Sequence, residues 1–273
     1  MTGPVVFCGI APHPPLLVPE VGGERIREVA DSKRSLEEFS RRVVSTDPDT
    51  VVVISPHSPL DPRYFTARAE DELRGDFRDF NARTDPLVFP NDRDLLKAVA
   101  AASEERGLWF RELNRPCPLD HGALVPLYYL NKAGWTGAIA VFGFTNQSIE
   151  DHLSFGRAIT AGASAIRRRI AIVASGDLSH RLIVGGPYEY EPTAHRFDEQ
   201  IVNAISQGCA RKVLEVDDGL RMRAGECGYR SILVALGSVD QHIREHQVLS
   251  YEGPFGVGYM VAVLVDAMTG DSS

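Results

Sequence analysis

The chain has 273 residues, 44% hydrophobic and 24% charged, with a formal net charge of −8. That balance is ordinary for a globular protein and excludes wholesale disorder, a collagen-like repeat and a coiled coil. The acidic excess argues against a broad electrostatic footprint for DNA or RNA, so no nucleic-acid partner is expected.

In chain order, the predicted elements begin with an apolar run over 5–10, which leads into Ala11-Pro12-His13-Pro14-Pro15. A charged stretch with apolar residues at helical spacing over 24–44 reads as an amphipathic helix. A second apolar run over 51–54 leads into Ser55-Pro56-His57-Ser58-Pro59. Residues 64–69 read as an edge strand, and the polar stretch after them to 85 reads as loop. Helical spacing returns over 92–105. Asp120, in Leu119-Asp120-His121-Gly122, is placed to cap the apolar segment 123–130, which Pro126 is expected to limit or kink. A strand over 138–144, a helix over 149–168 and a strand over 170–174 follow, the last leading into Ser175-Gly176-Asp177-Leu178-Ser179-His180. Helical segments over 194–205 and 210–216, an apolar helix or strand over 232–236 and a strand over 257–265 come next, and 269–273 read as a loose tail.

The strand runs are rich in Val and Ile without polar alternation, as expected for strands covered on both faces. Strands alternating with helices predict an α/β fold, and the lack of a Ser/Gly/Pro-rich linker predicts one domain over 1–273. The four cysteines are scattered with no CxxC pair, so neither a zinc ribbon nor a disulfide framework is expected. No apolar stretch reaches the ~18 residues of a membrane span. The first residues lack the pattern of a secretion signal. These readings predict a cytoplasmic protein without a membrane partner.

Three times an apolar strand ends in a short Pro- or Gly-containing turn and then a histidine: His13, His57 and His180. In open α/β sheets ligands bind beyond the carboxyl ends of strands, so histidines so placed can converge on one crevice. Prolines around His13 and His57 stiffen their loops, which suits a metal-binding imidazole. His121, near a helix N-terminus, is expected to be neutral and to act as a base or hydrogen-bond partner. His152, His195, His242 and His246 read as structural or solvated. Glu226, in Gly225-Glu226-Cys227-Gly228, is a helix cap or a ligand. Two histidines and a carboxylate form the facial set of non-haem Fe(II) oxygenases, whereas a Cys227 thiolate would favour a softer metal. Ser58, Tyr188 and Phe255 are the candidate substrate contacts: Ser58 adjoins His57, Tyr188 lies in a Gly/Pro loop that can form a lid, and Phe255 lies in the turn Glu252-Gly253-Pro254-Phe255-Gly256.

Together, the segments around His13, His57, His121, His180 and Glu226 resemble the class III extradiol ring-cleaving dioxygenases, the relatives of the protocatechuate 4,5-dioxygenase catalytic subunit. Gly9-Ile10-Ala11-Pro12-His13-Pro14-Pro15-Leu16-Leu17 and Leu249-Ser250-Tyr251-Glu252-Gly253-Pro254-Phe255-Gly256-Val257-Gly258-Tyr259 are similar to the dioxygenase-like domain of AmmeMemoRadiSam-system proteins. The resemblance runs over about 4–265. It implies a central, mostly parallel mixed sheet flanked by helices. It implies Fe(II) on His13, His57 and Glu226, with zinc or another divalent metal as the alternative. It also implies a catecholic substrate and O2, His180 as acid/base, and His121 as a second acid/base or a hydrogen-bond partner of substrate oxygen. A gap-free match puts Cys227 where some relatives carry their third ligand, as the related Memo proteins do. The alternative is accordingly a Memo-like metal-binding protein without ring-cleaving activity, a redox or modification partner; a zinc hydrolase is a third reading. The second domain that often follows in the subgroup would be a separate partner chain. A homo-oligomer is also compatible with the sequence.

Overall fold

The computed structural model describes residues 3–240 and 242–269. Its strands are β1 (Val5–Ala11), β2 (Thr50–Ile54), β3 (Phe65–Arg68), β4 (Glu72–Gly75), β5 (Leu87–Pro90), β6 (Phe110–Leu113), β7 (Ala138–Gly143), β8 (Ile170–Ser175), β9 (Gln247–Glu252) and β10 (Tyr259–Asp266). The α-helices are α1 (Pro19–Gly22), α2 (Ala30–Ser45), α3 (Arg93–Glu104), α4 (His121–Lys132), α5 (Ile149–Ala165), α6 (Ala194–Ser206), α7 (Ala210–Leu214), α8 (Asp218–Ala224) and α9 (Tyr229–Ser238).

Among the described residues, eight strands form one mixed sheet in the order β6-β3-β7-β2-β8-β1-β10-β9, and β4 and β5 pair separately. The central β7, β2, β8 and β1 are mutually parallel. β10 and β9 continue the sheet antiparallel on one side, and β3 lies antiparallel to β7 on the other. Successive strand residues point to opposite faces. Val51 and Val53 therefore join the layer built from α2 and α4, while Val52 and Ile54 join the layer of α3, α5, α6 and α9. With both faces covered, every residue of β2 and β8 is buried, which explains their unbroken apolar character. The chain passes from β2 outward to β3 and the edge strand β6 and returns through β7 to β8, which inserts between β2 and β1. That reversal opens a crevice at the carboxyl ends of β1, β2 and β8.

The predicted strands over 5–10, 51–54, 138–144, 170–174 and 257–265 are present with small boundary shifts. Residues 24–44 divide into a 3-10 segment (Gly23–Val29) and α2. The expected edge strand at 64–69 lies instead one place inside the sheet, because β6 pairs with it and takes the edge; all four residues of β3 are buried. The stretch read as loop contains β4, and 232–236 resolves as helix within α9. Of the expected tail, residues 270–273 lie outside the described residues.

His152, on α5, has a structural setting. It is 1% exposed, packs edge-on to Phe65 with ring centroids 5.4 Å apart, and its Nδ1 lies 2.7 Å from the Ser148 carbonyl. Burial holds its pKa down to about 4. Unfolded histidine gains a proton below about 6.5 while this one stays neutral to about pH 4. Lowering the pH through that window therefore favours the unfolded chain. Urea titrations at pH 4.5 to 6.5 should show a stability slope smaller by up to one proton, ~1.4 kcal/mol per pH unit, in His152→Gln than in the parent. Equal slopes would sink this assignment.

Candidate metal centre

β1 ends at Ala11 and β2 at Ile54, and the stiff proline turns beyond them bring His13 and His57 together. Their Nε2 atoms lie 3.1 Å apart. His13 is 2% exposed at the floor of the crevice, whereas His57 is exposed at its mouth. His121, the first residue of α4, stacks on His57 with centroids 4.2 Å apart. Asp120 caps α4 as expected, accepting from the Ala123 N–H at 3.1 Å. The same Asp120 oxygen accepts from Ser55 Oγ at 2.5 Å, and Ser55 Oγ accepts from the His57 N–H at 3.3 Å, which ties the His57 loop to the helix.

Among the described residues, two donor groups share His13. In one, nitrogens of His13, His57 and His121 lie within 4.8 Å of one another; in the other, His13, Asp177 and Cys227 do so. Asp177 Oδ1 accepts from the His13 backbone N–H at 2.9 Å, and Oδ2 lies 3.9 Å from His13 Nε2. Cys227 Sγ lies 3.6 Å from His13 Nε2 and accepts from the Asp177 N–H at 3.3 Å. The 225–228 turn reaches β8 because Gly176 and Gly228 meet backbone to backbone: a Cβ on Gly176 would lie 2.1 Å from Gly228 Cα.

Glu226, the expected third ligand, does not join either group. Its carboxylate accepts from the Tyr229 N–H at 2.7 Å and pairs with Arg221 at 3.4 Å, so it is engaged at the start of α9. The turn presents Cys227 to the crevice instead. Asp177 was missed by sequence reasoning, although it stands two residues beyond β8 as His13 stands two beyond β1. That shared placement was the available signal.

His180 and Tyr188 stack with centroids 5.0 Å apart, and His180 Nε2 is buried without a hydrogen-bond partner among the described residues. Tyr188 is 51% exposed, covering one face of the ring. Ser58 is buried beside Gly143, and its hydroxyl also lacks a partner. Phe255 is turned toward Arg25, whose guanidinium lies 4.5 Å above its ring.

Burial holds the His13 pKa well below the usual histidine range, and His57, His121 and His180 push further in that direction. His121 and His180 are each held down to about 4, first by burial and next by His57. Burial also lowers His57, opposed by Asp120. Uncharged imidazoles at neutral pH are the metal-binding form. Burial pushes Asp177 up to about 7 and the Cys227 thiol well above its ordinary value. An anionic charge on either is unfavourable in this pocket until a cation accompanies it. Neutral imidazoles beside two anion-forming donors fit a divalent metal ion.

Residues 8–262 match the family described as the catalytic LigB subunit of aromatic ring-opening dioxygenase. The chain belongs to the LigB family. A protein of Clostridium acetobutylicum described as Protein CA_C1420 is 33% identical over 272 residues, covering 97% of this chain. This LigB-family chain spans 58% of that protein's length. Among solved structures, an uncharacterized protein JW3007 from Escherichia coli K12 has the same fold at a TM-score of 0.59 and 18% identity, over 84% of this chain and 91% of that one. No helix among the described residues is long and apolar enough to cross a membrane.

Proposed function

We propose that this LigB-family protein is a non-haem Fe(II) enzyme that opens the ring of a catecholic or ortho-hydroxylated aromatic with O2. The observation that carries the reading is the 3.1 Å approach of His13 Nε2 and His57 Nε2 beside the Asp177 carboxylate. His13 and His57 are assigned as metal ligands; Asp177, whose Oδ2 lies 3.9 Å from His13 Nε2 and which belongs to the donor group without His57, is assigned in place of Glu226 as the carboxylate of a two-histidine, one-carboxylate set. Fe(II), when bound, supplies a Lewis acid that acidifies a phenol and a one-electron partner for O2.

The protein's own groups handle the protons. His180 is neutral with an unpartnered Nε2, so it can take a proton from a substrate hydroxyl and return it later. His121, also neutral and stacked on His57, is assigned to hydrogen-bond a substrate oxygen. Tyr188 shields the His180 ring and narrows water access. His180→Gln should lower kcat by ~10²–10⁴-fold with a much smaller change in KM, read by steady-state O2 consumption.

The deciding experiment loads the protein with Fe(II) anaerobically, adds a panel of catechols and admits O2. Ring opening should appear as O2 uptake together with a coloured product. Neither signal across the panel overturns the oxygenase reading.

The position of Cys227 favours a second reading, a Memo-like protein holding a softer metal on His13, His57 and the thiolate, without ring cleavage. Asp177→Asn and Cys227→Ser separate the two. The oxygenase reading expects Asp177→Asn to lose Fe(II) and turnover while Cys227→Ser retains them; the second reading expects metal loss from Cys227→Ser.

A further inference from the structure

Pro126 lies inside α4 and carries no N–H. The Gly122 carbonyl, one turn earlier, is thereby denied its i+4 helical donor. It accepts instead from Ser175 Oγ at 2.5 Å. Ser175 is the last residue of β8 and is fully buried. A serine hydroxyl has one proton, and here that proton is directed at Gly122. The same oxygen lies 2.9 Å from His13 Nδ1, so toward His13 it can only accept. His13 therefore carries its ring proton on Nδ1 and presents the lone pair of Nε2. Nε2 is the atom that faces His57 Nε2, Cys227 Sγ and Asp177 Oδ2.

Gly122 also touches the other side of the centre. A Cβ there would lie 2.5 Å from Ser55 Oγ and 3.2 Å from His57 Cδ2. The absence of a Cβ at Gly122 lets the helix start approach the His57 loop while its carbonyl reaches Ser175.

We propose that Ser175 is a positioning residue of the metal centre: with its proton drawn to the carbonyl that Pro126 leaves open, it fixes the tautomer and the aim of His13. The proposal rests on the metal-binding part of the reading above, not on ring cleavage. Outer partners of metal-bound histidines typically contribute ~10–100-fold in affinity, and Ser175 is expected to fall in that range.

The test uses the full chain and needs no turnover. Zn(II) and Fe(II) affinities are measured anaerobically by competition with a chromophoric chelator, for the parent and Ser175→Ala. The tautomer of His13 is read in the metal-free protein from imidazole ¹⁵N NMR, assigned by comparison with His13→Gln. The expected results are an Nδ1–H tautomer at His13 in the parent, and ~10–100-fold weaker metal binding with mixed tautomers in Ser175→Ala. Pro126→Ala, which restores a competing N–H for Gly122, should shift the tautomer balance in the same direction. Should Ser175→Ala not fold, the parent spectrum and Pro126→Ala decide. An Nε2–H tautomer in the parent, or unchanged affinity in Ser175→Ala, overturns the proposal. Absent ring cleavage with these metal and tautomer results intact would sink the oxygenase reading alone.

Discussion

Replacing His13 with alanine is expected to abolish metal retention and all O2-dependent turnover. His13 is the one residue common to both donor groups, so no subset of the remaining donors reproduces either. Its backbone N–H is held by Asp177 and its Nδ1 by Ser175, and it is 2% exposed, so the imidazole reaches the crevice without further ordering. Loss of the ligand itself should exceed the ~10–100-fold penalty typical of an outer partner. Elemental analysis after gel filtration of Fe(II)-loaded protein checks this, with His13→Gln alongside to preserve volume. Stoichiometric iron in both variants would show that the metal lies elsewhere. His121→Ala should keep its metal while losing turnover, because its assigned role is toward substrate oxygen.

The second large effect is expected from Gly176→Ala, a change of one methyl group. That methyl would lie 2.1 Å from Gly228 Cα, with backbone on both sides and no flexible side chain to yield. The reciprocal change is also crowded, since a Cβ on Gly228 would lie 2.9 Å from the Asp177 carbonyl. The strain must be relieved by moving the 175–180 segment away from the 225–228 turn. Overpacking of this kind typically costs ~1–3 kcal/mol, or several degrees of Tm for a chain of this size. The same movement separates Cys227 and Asp177 from their mutual hydrogen bond beside His13, so metal affinity should fall with stability. Thermal melts and metal titrations on Gly176→Ala, with Gly3→Ala as an uncrowded control, measure both. Parent-like values for Gly176→Ala would show that this contact does not set the site.

Much of this was legible along the chain. The buried parallel strands announce themselves as unbroken Val and Ile runs, because helices on both faces leave no position for a polar residue. The histidines after β1, β2 and β8 followed from the same logic, since a parallel sheet aligns its carboxyl ends on one side. The less apolar elements were not legible. The short run at 64–69 reads as an edge strand, and only pairing with β6 puts it inside. β9 follows a charged stretch and joins the sheet by pairing with β10.

The third donor shows the limit most clearly. From the sequence, Glu226 and Cys227 are adjacent candidates, and chemical preference favours the carboxylate. Adjacent residues on a turn point in different directions, so the backbone path decides which one faces the crevice. Here Glu226 turns back to the α9 N-terminus and Arg221, and Cys227 turns inward with Asp177. Asp177 and Ser175 acquire roles only from contacts made across the chain, to His13, Gly122 and Cys227. Periodicity and composition thus determine the sheet, its two helical layers and the loops that carry imidazoles, because those depend on local pattern and burial. Which donors meet, and which nitrogen of His13 bears the proton, depends on ångström-scale approach between distant segments, and that is set only when the Gly176–Gly228 contact and the Pro126 opening in α4 come together in the folded chain.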